Sequence, residues 1–309
     1  MNISRDTFEG AFIKNFISVG LGVIITYING MFIYAFFRNP KFYSDPRYIL
    51  YIHLVINDIM MLFMSVTLHV MTYTVPLVNV TVCCFLLLLV STTSNNTALN
   101  LAGMAMERYV AICKPLHHPH ICTVKRTYIC IGLIWLFALV PALTDIVITL
   151  LNQPISYFWK STMCYNKSIF ESNEHLIKTI FTQTLYLLSV WMTLVFTYIK
   201  VLQAANAATV DQVMARKTRN TILLHGIQLL LCMLAYVTPL INYMFFAMFP
   251  NYKSTFMFIT YLLANVFPRL LSPLIYGVRD QKMFKCIKTY LTFGRFSTQV
   301  GSVGKKPNS

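Results

Sequence analysis

The chain has 309 residues, of which 57% are hydrophobic and only 11% are charged, and its formal net charge is +15. Soluble globular proteins carry about 25% charged residues, so this composition excludes a water-soluble protein of this size. We therefore expect one integral membrane domain of the all-α class over residues 1–309.

Seven hydrophobic runs long enough to cross a bilayer follow one another along the chain. A transmembrane helix needs about 20 apolar residues, because its backbone polar groups must be satisfied without water. Four runs contain no Asp, Glu, Lys or Arg: Asn15–Phe37, Val80–Met106, Thr179–Ile199 and Asn220–Tyr252. Three contain one charged residue each: Tyr48–Val78, Thr127–Trp159 and Ser254–Val278. We predict a bundle of seven transmembrane helices, called spans 1 to 7 in chain order.

Short connections separate the predicted spans. Span 1 is followed by two dipeptides of a polar residue and proline, Asn39-Pro40 and Asp45-Pro46. Two prolines within residues 114–120 end span 3 near Cys113. After span 7, basic residues alternate with apolar ones, which predicts a short amphipathic helix on the membrane surface. The bundle and this helix cover residues 15–293, preceded by residues 1–14 and followed by a polar tail at 294–309.

The distribution of positive charge predicts the orientation in the membrane. With the N-terminus outside, 18 of the 25 Lys and Arg residues fall on the cytoplasmic side, six fall outside, and Arg269 lies within span 7. This asymmetry is the positive-inside rule, so we expect a multi-pass plasma-membrane protein with an extracellular N-terminus. The basic charge suits anionic lipid headgroups of the bilayer rather than nucleic acid. Glycosylation sequons at Asn2, Asn79 and Asn166 all fall outside.

One disulfide is expected among the eight cysteines. Cys83 or Cys84, at the outer start of span 3, can reach Cys164 in the longest outer connection, where the environment is oxidising. The residues alone leave the choice between the two neighbours open.

Charged side chains inside the spans narrow the class of function, because they are costly in hydrocarbon and usually functional. They are Asp58, Asp145 near the outer rim, the Glu107–Arg108 pair at the inner rim, and Arg269. No chain of acidic or histidine residues suggests a proton relay, and no matching broken helices suggest a transporter. The histidines of residues 117–120 are expected to be solvated rather than metal-bound. We predict no metal, no cofactor and no enzymatic activity.

Several motifs together resemble the rhodopsin-like G-protein-coupled receptors over about residues 15–293. They are Asn29, Leu54-x-x-x-Asp58, Glu107-Arg108-Tyr109, Trp135 and Ser272-Pro273-Leu274-Ile275-Tyr276. Within that class, MAMERYVAICKPLHH at the end of span 3 resembles the signature of the odorant receptors. Cys83, 25 residues before Arg108, matches the family's disulfide cysteine better than Cys84.

The resemblance implies a receptor that binds a small-molecule odorant and activates a heterotrimeric G protein of the stimulatory, cAMP-raising type. Glu107 would hold Arg108 at rest, and Arg108 would help form the G-protein pocket after activation. The residues expected to serve coupling are Glu107, Arg108, Tyr109, Tyr198, Pro273 and Tyr276. Two alternatives stay open: a non-olfactory receptor for a peptide or lipid, and, from another class, a membrane transporter.

Helical periodicity places a set of residues toward a ligand in the outer half of the bundle. These are Val90, Ser91, Ser94, Asn95, Thr182, Gln183, Tyr186, Tyr236, Leu240, Leu262 and Asn265. The set contains hydroxyls and amides but no carboxylate, and Val90 stands where amine receptors carry an Asp. A neutral or weakly polar small molecule is therefore expected. The alternative is that some of these side chains only bond neighbouring helices.

One departure from the family suggests an internal ion pair. Receptors of this class commonly hold a sodium ion at the Asp of span 2, and odorant receptors often add a Glu where this chain has Thr97. Here a positive charge, Arg269, lies four residues before Pro273. An unpaired Arg in hydrocarbon would cost at least ~2.5 kcal/mol. We predict that Arg269 pairs with Asp58 in place of sodium, with Asn29, Asn100 and Ser272 around it. The alternative is that Arg269 snorkels or faces a water-filled cavity.

Overall fold

The computed structural model describes residues 7–75, 77–170, 172–207, 226, 237–238, 241–242, 244–245, 248–249, 252–279 and 281–293. Within these residues, six helices are long and apolar enough to cross a membrane. They correspond to predicted spans 1 to 5 and span 7. Most of span 6 lies outside the described residues.

The long helices are bounded close to the predicted spans. They are α1 (Phe8–Arg38), α2 (Pro46–Thr74), α3 (Val80–Cys113), α4 (Val124–Asn152) and α5 (Asn173–Ala207). Span 7 consists of α6 (Lys253–Tyr261), a π-helical turn (Leu262–Val266) and α7 (Phe267–Arg279), and α8 (Gln281–Phe293) follows it. The connections contain single-turn helices at Pro40–Phe42, His118–Ile121, Ile155–Trp159 and Asn166–Ile169. Two short strands complete the described elements, β1 (Val78–Asn79) and β2 (Ser161–Thr162).

Side-chain caps fix where four of these helices begin. The first backbone N–H groups of a helix lack partners within it, and Asp, Asn and Thr side chains accept their hydrogen bonds. In each of the four, the capping oxygen accepts from a backbone N–H of the first turn at 2.9–3.3 Å. The caps of α1, α2, α3 and α4 are Thr7, Asp45, Asn79 and Thr123.

The main hydrophobic core lies between α1, α2, α3 and α8. It contains Phe36, Tyr51, Leu54, Leu101 and Met283, all 4% exposed or less. The predicted short helix after span 7 is present as α8, and Met283 and Ile287 on its apolar face pack into the bundle.

The two ends of the bundle differ in how the chain is held. At the N-terminal end of α3, β1 pairs antiparallel with β2, and Cys83 forms the disulfide with Cys164, while Cys84 stays a buried free thiol. We call this the disulfide end. The disulfide is present with the cysteine that the resemblance favoured. The opposite end of α3 carries Arg108, and we call it the Arg108 end.

A polar contact inside the bundle links α2 and α4. Nε1 of Trp135 donates a hydrogen bond of 2.8 Å to Nε2 of His53. Because the indole N–H is only a donor, the contacted nitrogen of His53 is the acceptor of that ring. This bond therefore ties Trp135 of α4 to His53 of α2.

Candidate functional site

Asp58 and Arg269 lie together in the interior of the bundle. Nε of Arg269 is 3.6 Å from Oδ1 of Asp58, and the two side chains are 2% and 1% exposed. The guanidinium also contacts the protein through Nη1, which lies 3.4 Å from the carbonyl oxygen of Ala264, and through Nη2, which lies 3.2 Å from Sδ of Met61. The structure thus brings the two predicted charges together, and the guanidinium is directed inward rather than toward either end.

The neutral residues expected around this pair take more varied roles. Asn29 donates from Nδ2 to the carbonyl oxygens of Ile25 and of Arg269 itself, at 3.0 and 3.3 Å. Asn100 donates instead to the carbonyl of Leu50 on α2 at 3.2 Å. Asn29 therefore fixes the backbone that carries Arg269, and Asn100 ties α3 to α2.

Asparagine and serine side chains form further bonds on these helices. Oγ of Ser272 donates to the carbonyl of Pro268 one turn earlier at 3.0 Å. Asn57 donates to Oγ1 of Thr97 at 2.9 Å, so Thr97 is used in joining α2 to α3. The position where the family often adds a carboxylate is thus occupied by a hydroxyl in a helix–helix contact.

At the Arg108 end, Glu107 contacts the side chains of an arginine and a histidine. Nε of Arg108 lies 3.7 Å from Oε2 of Glu107, whereas Nε2 of His118 lies 3.2 Å from Oε1. Adjacent residues on a helix do not face each other, which accounts for the longer first distance. Glu107 is 7% exposed, and Arg108 is 21% exposed. The contact to His118 was not foreseen from the sequence, where residues 117–120 were expected to be solvated.

The tyrosines predicted to serve coupling are placed differently. Tyr109 packs its ring against Phe196 of α5 at a centroid distance of 5.3 Å, and Tyr198 is 42% exposed. Pro273 lies inside α7. The side chain of Tyr276 lies outside the described residues. The described members of this set lie at the Arg108 end of the helices.

A narrow cleft with an interior space of about 20 Å³ lies at the disulfide end between α3, α4 and the connection that bears the disulfide. Its lining comes from Cys84, Leu87, Leu88 and Ser91 of α3, Ala142, Asp145 and Ile146 of α4, and Asn166 and Phe170 of the connection. Ser91, Asp145 and Asn166 are the polar members of this lining and the other six residues are apolar, so the cleft presents both kinds of surface. A separate aromatic cleft is lined by Phe245, Phe249, Tyr252 and Phe256.

Comparison with known proteins identifies the protein family of this chain. Residues 28–276 match the family model of the seven-transmembrane receptors of the rhodopsin family. The chain belongs to that family. It is also 31% identical to Odorant receptor 131-2 of Danio rerio over 276 residues, which covers 88% of this chain and 83% of that relative. The protein is therefore a multi-pass membrane receptor of the odorant-receptor type, not an enzyme, and its family acts through G proteins.

Two residues predicted to face a ligand bond a neighbouring helix in this receptor, and a third bonds its own helix. Asn95 donates to the carbonyl of Ala138 on α4 at 3.4 Å, and the hydroxyl of Tyr186 donates to the carbonyl of Phe137. Thr182 donates to the carbonyl of Lys178 within α5 at 2.8 Å. The alternative considered above, bonding to a neighbouring helix, therefore describes the contacts of Asn95 and Tyr186, whereas the bond of Thr182 stays within α5.

The remaining predicted ligand positions are dispersed. Ser91 lines the cleft at the disulfide end. Val90, Ser94 and Asn265 are partly buried and Gln183 is exposed. Leu262 packs against the cluster of Ile25, Leu62 and Val266. Tyr236 and Leu240 lie outside the described residues.

Sequence reasoning missed a charged cluster beside the cleft. Oδ1 of Asp145 is 3.0 Å from Nδ1 of His175, and Oδ2 is 2.5 Å from Nζ of Lys178. Asp145 is noticeable in the sequence as a carboxylate in span 4, but its partners lie 30 and 33 residues further on, across the disulfide connection. The spacing of Asp145 and Lys178 in the sequence gives no sign that they meet.

Proposed function

We propose that this receptor binds a small, neutral or weakly polar odorant in the half of the bundle next to the disulfide and activates a stimulatory, cAMP-raising G protein at the Arg108 end. The observation that carries the proposal is the separation of two sites along α3. Ser91 lines the cleft at one end, and the Glu107–Arg108 pair is at the other. One helix can therefore transmit a ligand-induced shift to the coupling residues.

The proposed orientation places the disulfide end outside the cell. The asymmetry of Lys and Arg supports it, and a disulfide is stable in the oxidising extracellular environment. The sequon asparagines Asn79 and Asn166 both lie at this end, Asn79 as the cap of α3 and Asn166 as an exposed residue starting a short helix. Asn2, which lies outside the described residues, is the third site proposed for glycosylation. The receptor would reside in the plasma membrane.

The proposed coupling mechanism follows from the contacts of Glu107. Its carboxylate compensates Arg108 in a half-buried place that a lone guanidinium would not tolerate. Activation would break this contact and free Arg108 for the G protein, with Tyr198 and Tyr276 closing over the space and Pro273 allowing α7 to bend. His118 bonds the other oxygen of Glu107, so it orients the carboxylate from the connection after α3.

The charges around the cleft support a neutral ligand. Asp145 is the carboxylate in its lining, and its two oxygens already bond His175 and Lys178. A cationic amine would have to displace Lys178 before it could pair with Asp145. An apolar molecule with one hydroxyl or carbonyl meets no such barrier, since Leu87, Leu88 and Ser91 offer the matching surface.

We further propose that Arg269 replaces a sodium ion at Asp58. Its guanidinium supplies one positive charge 3.6 Å from the carboxylate in a site that is almost wholly buried. The thermal stability of purified receptor is then expected to be the same in sodium chloride and in choline chloride. Arg269→Gln should introduce a sodium dependence, because the carboxylate loses its tethered cation. Sodium dependence of the unaltered receptor would contradict the replacement.

A cAMP reporter in transfected cells, read against panels of odorant mixtures, tests the function. We expect a cAMP rise to at least one mixture, and Arg108→Ala is expected to abolish it while surface expression stays largely intact. A full response from well-expressed Arg108→Ala would show that Arg108 is only an interfacial anchor. Ligand-dependent substrate uptake with no cAMP response would favour the transporter alternative instead.

A further inference from the structure

Two prolines in span 7 each remove a hydrogen-bond donor from the helix interior. In an α-helix the carbonyl of one residue accepts from the N–H four residues later, and proline has no N–H. The positions four residues after Ala264 and Arg269 are Pro268 and Pro273, so these two carbonyls have no α-helical donor. A backbone carbonyl buried in a membrane protein is costly without a donor, so each of them needs a substitute.

Side chains supply both missing donors. Nδ2 of Asn29 on α1 donates to the carbonyl of Arg269 at 3.3 Å. Nη1 of Arg269 donates to the carbonyl of Ala264 at 3.4 Å. Ala264 is 1% exposed and Arg269 is 2% exposed, so bulk water does not serve in their place. The side chain of Arg269 therefore fills the gap that the residue just before it in the chain creates.

The same carbonyl lies in the π-helical turn of span 7. Within this turn the N–H of Phe267 donates to the carbonyl of Leu262, five residues earlier. The next N–H along the chain would be that of Pro268, and it is missing whether its acceptor is counted four or five residues back. The backbone thus cannot complete its own hydrogen bonds where the π-helical turn ends, and the guanidinium of Arg269 lies at that point.

Contacts with α2 direct the guanidinium toward this turn. Nε of Arg269 lies 3.6 Å from Oδ1 of Asp58, and Nη2 lies 3.2 Å from Sδ of Met61. Arginine presents its donors in a rigid planar fork, so the direction of Nη1 follows from the positions of the other two nitrogens. Helix α2 therefore holds in place the side chain that completes the turn in span 7.

The π-helical turn determines the orientation of α6, which precedes it. An α-helical turn would hold one residue fewer, so α6 would rotate by about 100° and shift by about 1.5 Å relative to α7. Two contacts depend on the present orientation. The ring of Tyr261 stacks on that of His69 of α2 at a centroid distance of 4.7 Å, and Oγ1 of Thr260 donates to Oδ1 of Asn242 of span 6 at 3.1 Å.

We propose that Arg269 is a positioning residue whose guanidinium replaces the donor that Pro268 lacks and so holds the π-helical turn that orients α6 against spans 2 and 6. The pair with Asp58 anchors the guanidinium for this role. Loss of the guanidinium leaves the carbonyl of Ala264 without a donor and releases the turn. Where an N–H is present at position 268, the backbone itself satisfies that carbonyl and the turn becomes α-helical.

Two substitutions in combination separate this role from the charge of Arg269. Arg269→Lys keeps a positive charge for Asp58 but loses the planar fork, and Pro268→Ala provides an N–H for the carbonyl of Ala264. With Pro268 present, Arg269→Lys should lower the apparent Tm of the solubilised full-length receptor by roughly 3–10 °C, the loss expected for one hydrogen bond of a charged group. In the Pro268→Ala background the same exchange should cost less than half as much.

Pro141→Ala, which removes a proline inside α4, is the matched control. Pro141 shares none of the contacts of Arg269 named above, so Arg269→Lys should cost the same with and without it. A loss that is also the same with and without Pro268 would show that Arg269 serves only Asp58 and would overturn the proposal. If Arg269→Lys does not reach the cell surface, Pro268→Ala must restore its surface expression, and no restoration would equally overturn the proposal.

A second measurement reads the orientation of α6. Tyr261→His places an imidazole where the ring of Tyr261 stacks on His69, and two imidazoles can share a Zn²⁺ ion. Excess Zn²⁺ should raise the apparent Tm of Tyr261→His by roughly 5–10 °C more than that of the unaltered receptor. The added pair Pro268→Ala and Arg269→Lys should abolish this gain, because residue 261 then turns away from His69.

Both possible failures of the zinc measurement count against the proposal. A gain of unchanged size with the added pair would show that α6 is oriented independently of Arg269 and Pro268. No gain in Tyr261→His itself would contradict the orientation of α6 described above. These measurements need neither an odorant nor a G protein, so their failure is distinct from failure of the proposed function.

Discussion

Removing one charge of the Asp58–Arg269 pair should destabilise the receptor more than removing both. In Arg269→Gln the carboxylate of Asp58 stays buried without a cation, and in Asp58→Asn the guanidinium of Arg269 stays buried without an anion. In the double variant neither uncompensated charge remains. The prediction is therefore a rescue of each single substitution by the other.

The magnitude follows from the distance and the burial. Two unit charges 3.6 Å apart interact by roughly 5 kcal/mol at an effective dielectric constant of about 20. Both side chains are 2% exposed or less, so solvent screens the pair very little. Breaking a buried pair by removing one partner typically costs about 3–5 kcal/mol, whereas replacing both partners is often near neutral. We expect each single variant to lose on the order of 10 °C in apparent Tm and the double variant to recover at least half.

The assay combines surface expression of an epitope-tagged receptor with the thermal stability of the solubilised protein. Arg47→Gln is the control, because Nη2 of Arg47 lies 3.2 Å from Oδ2 of Asp45 in a pair whose side chains are 27% and 37% exposed. Exposed pairs contribute about 0–1 kcal/mol, so this control should stay near the unaltered receptor. A double variant no more stable than the weaker single variant would refute the energetic argument for the buried pair.

Three further predictions concern other contacts. His118→Phe removes the shorter contact of Glu107, so the carboxylate should move closer to Arg108. Basal cAMP should then fall about tenfold, which corresponds to one hydrogen bond of a charged group. An unchanged or higher basal level would contradict this. Cys83→Ser should lose about 4–5 kcal/mol and most surface expression, because the disulfide closes a separation of 81 residues, whereas Cys84→Ser should express normally. Burial, and next the negative charge of Glu107, raise the pKa of the Cys122 thiol, so its maleimide labelling at pH 7 should be slower than that of a cysteine peptide and should accelerate only at higher pH.

The helices could be predicted because their signals are local in the sequence. Span 3 was expected to end near Cys113, and α3 ends there, since the prolines after it cannot continue a helix. The pairing of Asp58 with Arg269 followed from an energetic argument rather than from a pattern. Two opposite charges at a similar depth in hydrocarbon have few other partners. Because each would be costly to bury alone, their contact can be predicted.

The direction of side chains in span 7 could not be predicted in the same way. Leu262 and Asn265 were assigned to the ligand side by counting back along a regular helix. The structure contains a π-helical turn at Leu262–Val266, which holds one residue more than a regular α-helical turn. Counting back through it as a regular helix therefore misplaces the preceding side chains by about 100° around the helix axis. Leu262 packs with Ile25 and Leu62 accordingly. Nothing in the local composition of LLANV distinguishes this turn from ordinary helix.

Contacts made by the connections between spans could not be predicted from the sequence either. His175 lies in a polar stretch before span 5, and its contacts with Asp145 and Thr149 depend on how the ends of α4 and α5 meet after the disulfide connection has folded. His118 likewise meets Glu107 only because the chain turns back after Lys114. In both cases the sequence shows a histidine near a membrane rim, and only the three-dimensional arrangement provides its partner.

The packing of α8 on α1 and α2 determines when the core can form during synthesis. Met283 and Ile287 belong to the same buried cluster as Phe32 and Leu54, so the cluster draws on almost the whole length of the chain. At about 5–20 residues per second, the ribosome needs on the order of 10–50 s to extend the chain from Leu54 to Ile287. During that time α1 and α2 are in the bilayer before α8 exists, and lipid contacts the surface that α8 later covers. The buried cluster around Leu54 can therefore close only after α8 has been synthesised, so α8 sets the earliest time at which this core is complete.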